Sequence, residues 1–168
     1  MMDHCYASCG LCTMPPTPPP QVDATDCLKA HNNRRALHGT PALVWNNSLT
    51  QHAQEWAEYL LSNGSLVHAS GIDEGENLAW GYGPTFRTCV QAMEGWYDDE
   101  EPQYDYDNPG FSKATGHFTQ VVWQSTKSVG VALTTKKTNY GYETFIVARY
   151  YPAGNVRGQF AQNVPKEI

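Results

Sequence analysis

The chain has 168 residues and a net charge of −6, because 17 acidic residues face 11 lysines and arginines. This length suits one domain with one core, and an aromatic content of 12% is typical of a globular protein rather than a disordered one. The acidic balance argues against binding to a nucleic-acid backbone, and no apolar run reaches the roughly 20 residues that a membrane span needs.

The first twelve residues are rich in cysteine. Cys5, Cys9 and Cys12 have the spacing that holds iron–sulfur clusters, but no large barrel follows to support such a cluster. The stretch from Cys9 to Cys12 resembles the end of a sea-anemone-toxin-like (ShK-type) domain. We therefore interpret residues 1–12 as a truncated Cys-rich stub, with an unstructured Cys-rich tail as the alternative.

Residues 13–21 contain five prolines and predict a stiff, extended linker. The main domain is expected to fill residues 22–168. Apolar side chains recur at helical spacing in three of its segments, which predict helices: residues 24–38, 48–63 and 85–97.

The second half of the main domain contains the predicted strands. Residues 129–134 and 143–151 predict two strands joined by a hairpin loop. Residues 116–123 form an apolar run, helical or strand-like, that contains His117. An acidic loop with six carboxylates is expected at residues 98–107. Helices first and strands later favour an α+β fold.

Several blocks of the chain resemble motifs of a known family. GHFTQVVW at residues 116–123 and FIVARYYPAGNV at residues 145–156 resemble the two signature motifs of the CAP superfamily. That superfamily contains cysteine-rich secretory proteins, insect venom antigen 5 and plant pathogenesis-related 1 proteins. GENLAW at residues 75–80 agrees with a further family block. The resemblance covers roughly residues 22–165 and implies a three-layer α-β-α sandwich.

One departure from the second signature bears on the location of the protein. Ala148 stands where relatives usually have a cysteine, and this region looks most like the Golgi-associated plant pathogenesis-related branch, which sits on cytosolic membrane faces. A Cys-rich stub instead implies an oxidising compartment. We expect secretion, with a Golgi or cytosolic membrane face as the alternative. No apolar signal segment opens the chain, so we expect the native N-terminus to lie upstream.

The remaining cysteines, Cys27 and Cys89, occupy apolar positions of the first and third predicted helices. Free cysteine is common at such positions as a small hydrophobic residue. Our hypothesis is that the two pair in a disulfide that joins these helices, which requires their Cα atoms to lie within about 7 Å.

The resemblance implies an open cleft faced by two histidines and two acidic residues. The histidines correspond to His68 and His117, and the first acidic residue to Glu76. The second acidic place falls on Asp99, although aspartate is one methylene shorter than the glutamate of relatives and Glu100 is the alternative. Neutral imidazoles suit Zn²⁺ or Cu²⁺, and two of them leave positions open for water, so we expect a weak, exchangeable zinc site.

The other histidines of the main domain, His31, His38 and His52, are expected to have structural roles. No Gly-x-Ser-x-Gly motif is present, so a serine nucleophile has no support. The resemblance implies a lipid- or sterol-binding or scaffold module.

Ligand contact is expected through an aromatic loop that contains Tyr97, Tyr104 and Tyr106, while Trp96 and Phe111 are expected to be core residues. The alternatives are a zinc-dependent hydrolase with Glu76 as base and an effector that acts through the missing ShK-like module.

Overall fold

The structure, a computed structural model, describes residues 19–168, so the proposed Cys-rich stub and most of the Pro-rich linker lie outside the described residues. Five α-helices and four strands follow one another in this range: α1 (Ala24–Leu37), β1 (Val44–Trp45), α2 (Asn47–Asn63), β2 (Gly75–Gly83), α3 (Cys89–Met93), α4 (Gly116–Val122), β3 (Ser128–Thr138), β4 (Gly141–Tyr151) and α5 (Phe160–Asn163). A π-helical turn (Glu94–Asp98) and a 3₁₀ turn (Glu101–Gln103) follow α3.

Most of the predicted elements are confirmed. The first two predicted helices agree with α1 and α2, the third contains α3 and most of its π-helical turn, and the apolar run around His117 is the helix α4. Both predicted strands are present and longer than expected. The strand β2 was not predicted, because three of its nine residues are glycines, which are depleted in strands.

A four-stranded sheet in the order β1-β3-β4-β2 forms the middle layer. The strand β1 pairs with β3 in parallel, and the other neighbours are antiparallel. Helix α2 packs on one face, where Ala53, Ala57 and Leu60 meet apolar residues of the strands. Helices α1, α3 and α4 contribute to the larger apolar cluster on the other face. The expected α+β three-layer sandwich is therefore confirmed.

A buried arginine of α1 fixes the position of α4. The Arg35 guanidinium donates hydrogen bonds to the carbonyls of Val121 and Trp123 at 2.9 Å and to that of Thr126 at 3.2 Å. These carbonyls lie at or just after the last turn of α4, where the helix itself offers them no partners. Burial lowers the pKa of Arg35 to about 10, so the side chain stays charged at neutral pH. The helix that bears His117 is thus tied to α1 at its C-terminal end.

The predicted pairing of the two helix cysteines is confirmed. Cys27 of α1 and Cys89 of α3 form a disulfide with a Cα–Cα distance of 5.5 Å, which is within the range for such bonds. The bond joins cysteines 62 positions apart in the chain and fastens α1 to α3 inside the larger apolar cluster.

A buried hydrogen-bond network runs from the disulfide across the sheet. His31 Nδ1 lies 2.8 Å from the Cys27 carbonyl, which can only accept, so this nitrogen carries the proton. His31 Nε2 accepts from the Tyr150 hydroxyl at 2.9 Å, and Asn77 Nδ2 donates to the same hydroxyl at 3.3 Å. Burial lowers the pKa of His31 to about 4, so the ring is neutral near pH 7. The structural role expected for His31 agrees with this geometry.

The pKa of His31 predicts a pH dependence of stability. Because the folded-state pKa of about 4 lies below the ordinary 6.5, the unfolded chain binds the extra proton between these values. The contribution of His31 is complete above pH 6.5 and is lost as the pH falls towards 4. Between these limits the free energy of unfolding should fall by about 3 kcal/mol more in the unsubstituted protein than in His31→Gln, measured by urea denaturation. His52→Gln, at an exposed histidine, should keep the steeper dependence, and equal slopes for the protein and His31→Gln would contradict this account.

Candidate functional site

His68 is held by a glutamate of the edge strand. It lies in the segment between α2 and β2, and its Nδ1 donates to Glu76 Oε1 at 2.7 Å. The same oxygen accepts from the backbone N–H of Ala69 at 3.0 Å. The Glu76 side chain is only 5% exposed, whereas that of His68 is 64% exposed. The glutamate therefore fixes the ring through one nitrogen, while the ring itself reaches solvent.

Glu76 is held in turn by a buried arginine. Arg149 faces it across the β2–β4 pair, with 3.0 Å between Nη2 and Glu76 Oε2, and its side chain is 4% exposed. The Nε atom of the same guanidinium lies 3.8 Å from Glu74 Oε2, and Glu74 accepts from His52 Nδ1 at 2.6 Å. Arg149 thus lies between two histidine–glutamate pairs, closer to Glu76 than to Glu74, and its single positive charge offsets part of the negative charge of the two carboxylates.

His117 is held in the same manner at the start of α4. Its Nδ1 donates to Glu100 Oε1 at 2.6 Å, and the backbone N–H groups of His117 and Phe118 donate to Oε2 at 2.9 and 3.0 Å. Glu100 therefore caps the helix as well as orienting the imidazole, and a negative charge is favourable at this helix end. The His117 side chain is 31% exposed and stacks beside Trp96, with 6.5 Å between ring centroids.

The acidic residue beside His117 is Glu100, which the sequence analysis offered only as an alternative to Asp99. Asp99 is exposed and makes no side-chain hydrogen bond or ion pair within the described range. The π-helical turn after α3 explains the difference. In this turn the Asp99 N–H donates to the Glu94 carbonyl, five residues earlier, whereas an α-helix would use the carbonyl four residues earlier. The turn therefore holds one residue more than an α-helical turn, and Glu100 rather than Asp99 lies beside His117.

Consecutive residues of β2 connect the two histidines. Glu76 binds the His68 ring, and the side chain of Asn77, the next residue, donates to the His117 carbonyl at 3.1 Å. Successive side chains of a strand point to opposite faces, and β2 lies at the edge of the sheet, where both faces can be reached. Both histidines are therefore anchored at one end of one edge strand.

A second group of ligand-type side chains lies inside the molecule. Among residues 19–168, only Cys27, His31 and Cys89 bring three such atoms within 4.8 Å of one another. The group could hold a metal with both sulfurs reduced. In the disulfide form the thiolates are lost, and His31 Nδ1 donates its proton to a carbonyl. The expected zinc site therefore depends on His68 and His117.

The aromatic loop differs from the sequence expectation. Tyr97 and Tyr104 lie in the core, and Tyr106 is half-buried and donates to Glu101 Oε1 at 2.8 Å. Burial raises the pKa of Tyr97, and its hydrogen bond to a carboxylate raises it further. Trp96 is a core residue, as expected, but the same expectation for Phe111 is wrong, because this side chain is 61% exposed.

Phe111 borders a pocket with a volume of about 670 Å³. Its lining residues come from the loop before α4 and from the C-terminal region: Pro109, Gly110, Phe111, Asn155, Arg157, Gly158, Phe160 and Ala161. The lining is mostly apolar, with Arg157 as its charged residue, so the pocket suits a ligand with a large apolar part.

Arg149 and Asn77 were missed by the sequence analysis. Arg149 stands in the run FIVARYY, where every other residue is apolar, and a charge in such a strand requires a partner. Glu74 and Glu76 are acidic residues at alternate positions before an apolar stretch, and this pattern could have suggested them as the partners of Arg149. Nothing in the sequence distinguishes Asn77 from an ordinary strand residue.

Comparisons with known proteins agree with the motif resemblance. A family model described as "CAP: Cysteine-rich secretory protein family" matches residues 28–150. The human Golgi-associated plant pathogenesis-related protein 1 is 40% identical over 144 residues, which cover 83% of this chain and 90% of that protein.

Two fungal relatives are longer than this chain. Protein PRY2 of Saccharomyces cerevisiae is 44% identical over 142 residues, or 84% of this chain and 40% of its own length. Secreted protein RBT4 of Candida albicans is 39% identical over 139 residues, which cover 80% of this chain and 36% of that protein. The chain thus spans less than half of either fungal protein.

The solved structures share the fold. The crystal structure of NaASP2 with Zn²⁺ has a TM-score of 0.63 and 18% sequence identity, and the match covers 86% of this chain and 85% of that one. At this identity the likeness concerns the fold. Between residues 19 and 168, no helix has both the length and the apolar character to cross a bilayer.

The capping role of Glu100 generates a prediction. Glu100→Gln removes a buried carboxylate that accepts three hydrogen bonds and should lower the free energy of unfolding by about 2 kcal/mol. Asp99→Asn is the matched control at the neighbouring exposed position and should change stability by less than about 0.5 kcal/mol. Chemical denaturation measures both, and similar values for the two variants would show that Glu100 has no special role.

Proposed function

The chain belongs to the CAP family of cysteine-rich secretory proteins, and we propose that it is a secreted binding module whose His68 and His117 side chains share a divalent metal ion. One observation carries the proposal: each imidazole is held through Nδ1 by a buried glutamate while the ring stays accessible. This pairing leaves Nε2 of each ring as the nitrogen that is available for a metal.

The donor set fits zinc or copper. A carboxylate that accepts from the far nitrogen fixes the tautomer and makes the imidazole a better ligand, as is common around metal-binding histidines. Anchoring on consecutive residues of β2 supports the convergence of the two rings, which stays a prediction. A bound zinc ion would supply a Lewis acid with positions open to an oxygen of a ligand.

Binding is a better proposal than hydrolysis. Glu76 Oε1 already accepts two hydrogen bonds and Oε2 faces Arg149, so this carboxylate is a poor general base. Both oxygens of Glu100 are likewise engaged by α4. In the range that the structure covers, no serine or threonine hydroxyl makes a hydrogen bond to a histidine ring.

Secretion is the location that we propose. The Cys27–Cys89 disulfide supports an oxidising compartment, and a relative named as a secreted protein supports the same view. The Golgi-associated relative is the argument for a membrane-facing alternative. Ligands and partners of the longer fungal relatives are not assumed for this chain.

A lipid or sterol is the second ligand that we propose, and Phe111 is the observation that favours it. An exposed phenylalanine beside a mostly apolar pocket of about 670 Å³ offers contact area to a fatty-acyl chain or a sterol. The sequence predicts that Tyr97, Tyr104 and Tyr106 contact the ligand. In the structure these three side chains pack around Phe118 and stabilise the loop from its buried side.

The metal proposal is tested by calorimetric titration with Zn²⁺. His68→Ala and His117→Ala should each weaken binding at least about tenfold, since each removes one of two protein ligands. His52→Ala is the matched control, because His52 is also a surface histidine held by a glutamate through Nδ1. Loss of binding in all three variants, or in none, would contradict a site shared by His68 and His117.

The lipid proposal is tested by displacement of a fluorescent fatty acid or sterol. Phe111→Ser should weaken binding about tenfold, because the exposed ring would contribute apolar contact area to the complex. Tyr140→Ser changes an aromatic residue that is 87% exposed elsewhere and should have no effect. Equal affinities for the two variants would place the ligand away from the pocket.

A further inference from the structure

Two aromatic side chains form an uncovered surface on the sheet face that α2 packs against. Alternate residues of β2 point to this face, and the first apolar one, Leu78, is buried in the cluster under α2. The next two, Trp80 and Tyr82, lie beyond that cluster and are 48% and 49% exposed. We call Trp80 and Tyr82 the aromatic platform.

The polar atoms of both aromatic platform residues bond to neighbouring strands of the sheet. Trp80 Nε1 donates to Glu143 Oε1 on the neighbouring strand β4 at 3.1 Å. The Tyr82 hydroxyl bonds to Thr138 Oγ1 on β3, which is two strands away, or about 10 Å in the hydrogen-bonding direction. A tyrosine can span this separation only with its ring laid across β4. Both polar atoms are therefore satisfied by the protein, and about half of each side chain is left exposed to solvent.

A donor and an acceptor flank the aromatic platform. Lys136 lies opposite Glu143 across the β3–β4 pair, on the same face as Trp80 and Tyr82. Within residues 19–168, Lys136 has no ion-pair partner within 4.0 Å, and only Oε1 of Glu143 accepts from Trp80. The rim thus offers one ammonium and one free carboxylate oxygen, with no net charge between them.

We propose that the aromatic platform binds a neutral oligosaccharide. The faces of a sugar ring carry C–H groups with partial positive charge, and these are attracted to the negative face of an aromatic ring. Successive side chains on one face of a strand are about 7 Å apart, so Trp80 and Tyr82 can each take a sugar of one chain. Lys136 and Glu143 then donate to and accept from the hydroxyl groups.

Other occupants fit the surface less well. Half-exposed Trp and Tyr side chains offer about 200 Å² together, far below the roughly 800 Å² per partner of a stable protein interface. Nucleic acids and sulfated polysaccharides are anionic. They are disfavoured here because the protein has a net charge of −6 and the rim of the aromatic platform has no net positive charge. A neutral chain rich in hydroxyl groups matches both the rings and the rim.

The experiment uses soluble hexasaccharides of β-1,4-linked glucose, β-1,3-linked glucose and β-1,4-linked N-acetylglucosamine. Each is titrated into the labelled protein while the indole N–H signal of Trp80, assigned with Trp80→Phe, is followed by NMR. The expected result is a saturable shift with at least one hexasaccharide, with an affinity that does not depend on salt. Absence of binding by all three would overturn the proposal.

The variants locate the binding. Trp80→Ala and Tyr82→Ala should each weaken binding about tenfold, and Tyr82→Phe, which keeps the ring, should bind nearly as well as the unsubstituted protein. Trp80→Leu replaces the alanine variant if the latter does not fold. Tyr151→Ala, at a residue that is 53% exposed at the other end of β4, is the control and should leave binding unchanged.

Two further outcomes would overturn the proposal. One is hexasaccharide binding that Trp80→Ala and Tyr82→Ala leave intact. The other is binding restricted to sulfated polysaccharide, abolished by salt and by Lys136→Gln, which would show an electrostatic site. Neither outcome involves His68 or His117, so the result does not depend on the metal proposal.

Discussion

The buried ion pair between Glu76 and Arg149 is the interaction on which the candidate site depends. Both side chains are about 5% exposed or less, so each buried charge is stabilised chiefly by the opposite charge 3.0 Å away. Loss of one partner would leave the other charge buried without its nearest counter-charge, at a cost of about 3–5 kcal/mol. The pair also requires the register in which Glu76 faces Arg149, and a slip of one residue would turn Glu76, and His68 with it, away from the site.

The other histidine depends on the two ends of a short helix. Seven residues are too few for a stable isolated helix, so α4 relies on contacts with the rest of the fold. Arg35 supplies a cation at its C-terminal end and Glu100 an anion at its N-terminal end, which is the favourable arrangement for the helix dipole. His117 is therefore positioned by charges brought from α1 and from the loop after α3.

Much of the fold and part of the candidate site could be predicted from the sequence. Helical periodicity and family motifs both depend on residues that are close together in the chain, so a single sequence is enough to recognise them. The helices α1 and α2 were predicted from the spacing of their apolar residues, the family blocks contain His117 and Glu76, and the resemblance to the family suggested His68. The sequence could not distinguish Asp99 from Glu100, because the choice depends on a π-helical turn that shifts the chain by one residue. The exposure of Phe111 depends on how the loop before α4 packs, which no local pattern shows.

Some features follow only from close approach in three dimensions. A side chain at Gly75 would collide with the Gln120 side chain of α4, so this glycine in the β2 motif reflects packing rather than flexibility. Arg149 looked like an isolated charge in an apolar strand until the sheet register brought it opposite Glu76. Such long-range pairings join residues more than 40 positions apart, which a single sequence does not reveal.

The central claim is that two histidines anchored on one edge strand share one metal ion. The most direct test is a crystal structure of the zinc-soaked protein, with anomalous difference density recorded at the zinc absorption edge. The account predicts a single peak about 2.0–2.1 Å from Nε2 of both His68 and His117, with Nδ1 of each ring still bound to its glutamate. Zinc on only one of these rings, or rings too far apart to reach a common ion, would contradict it.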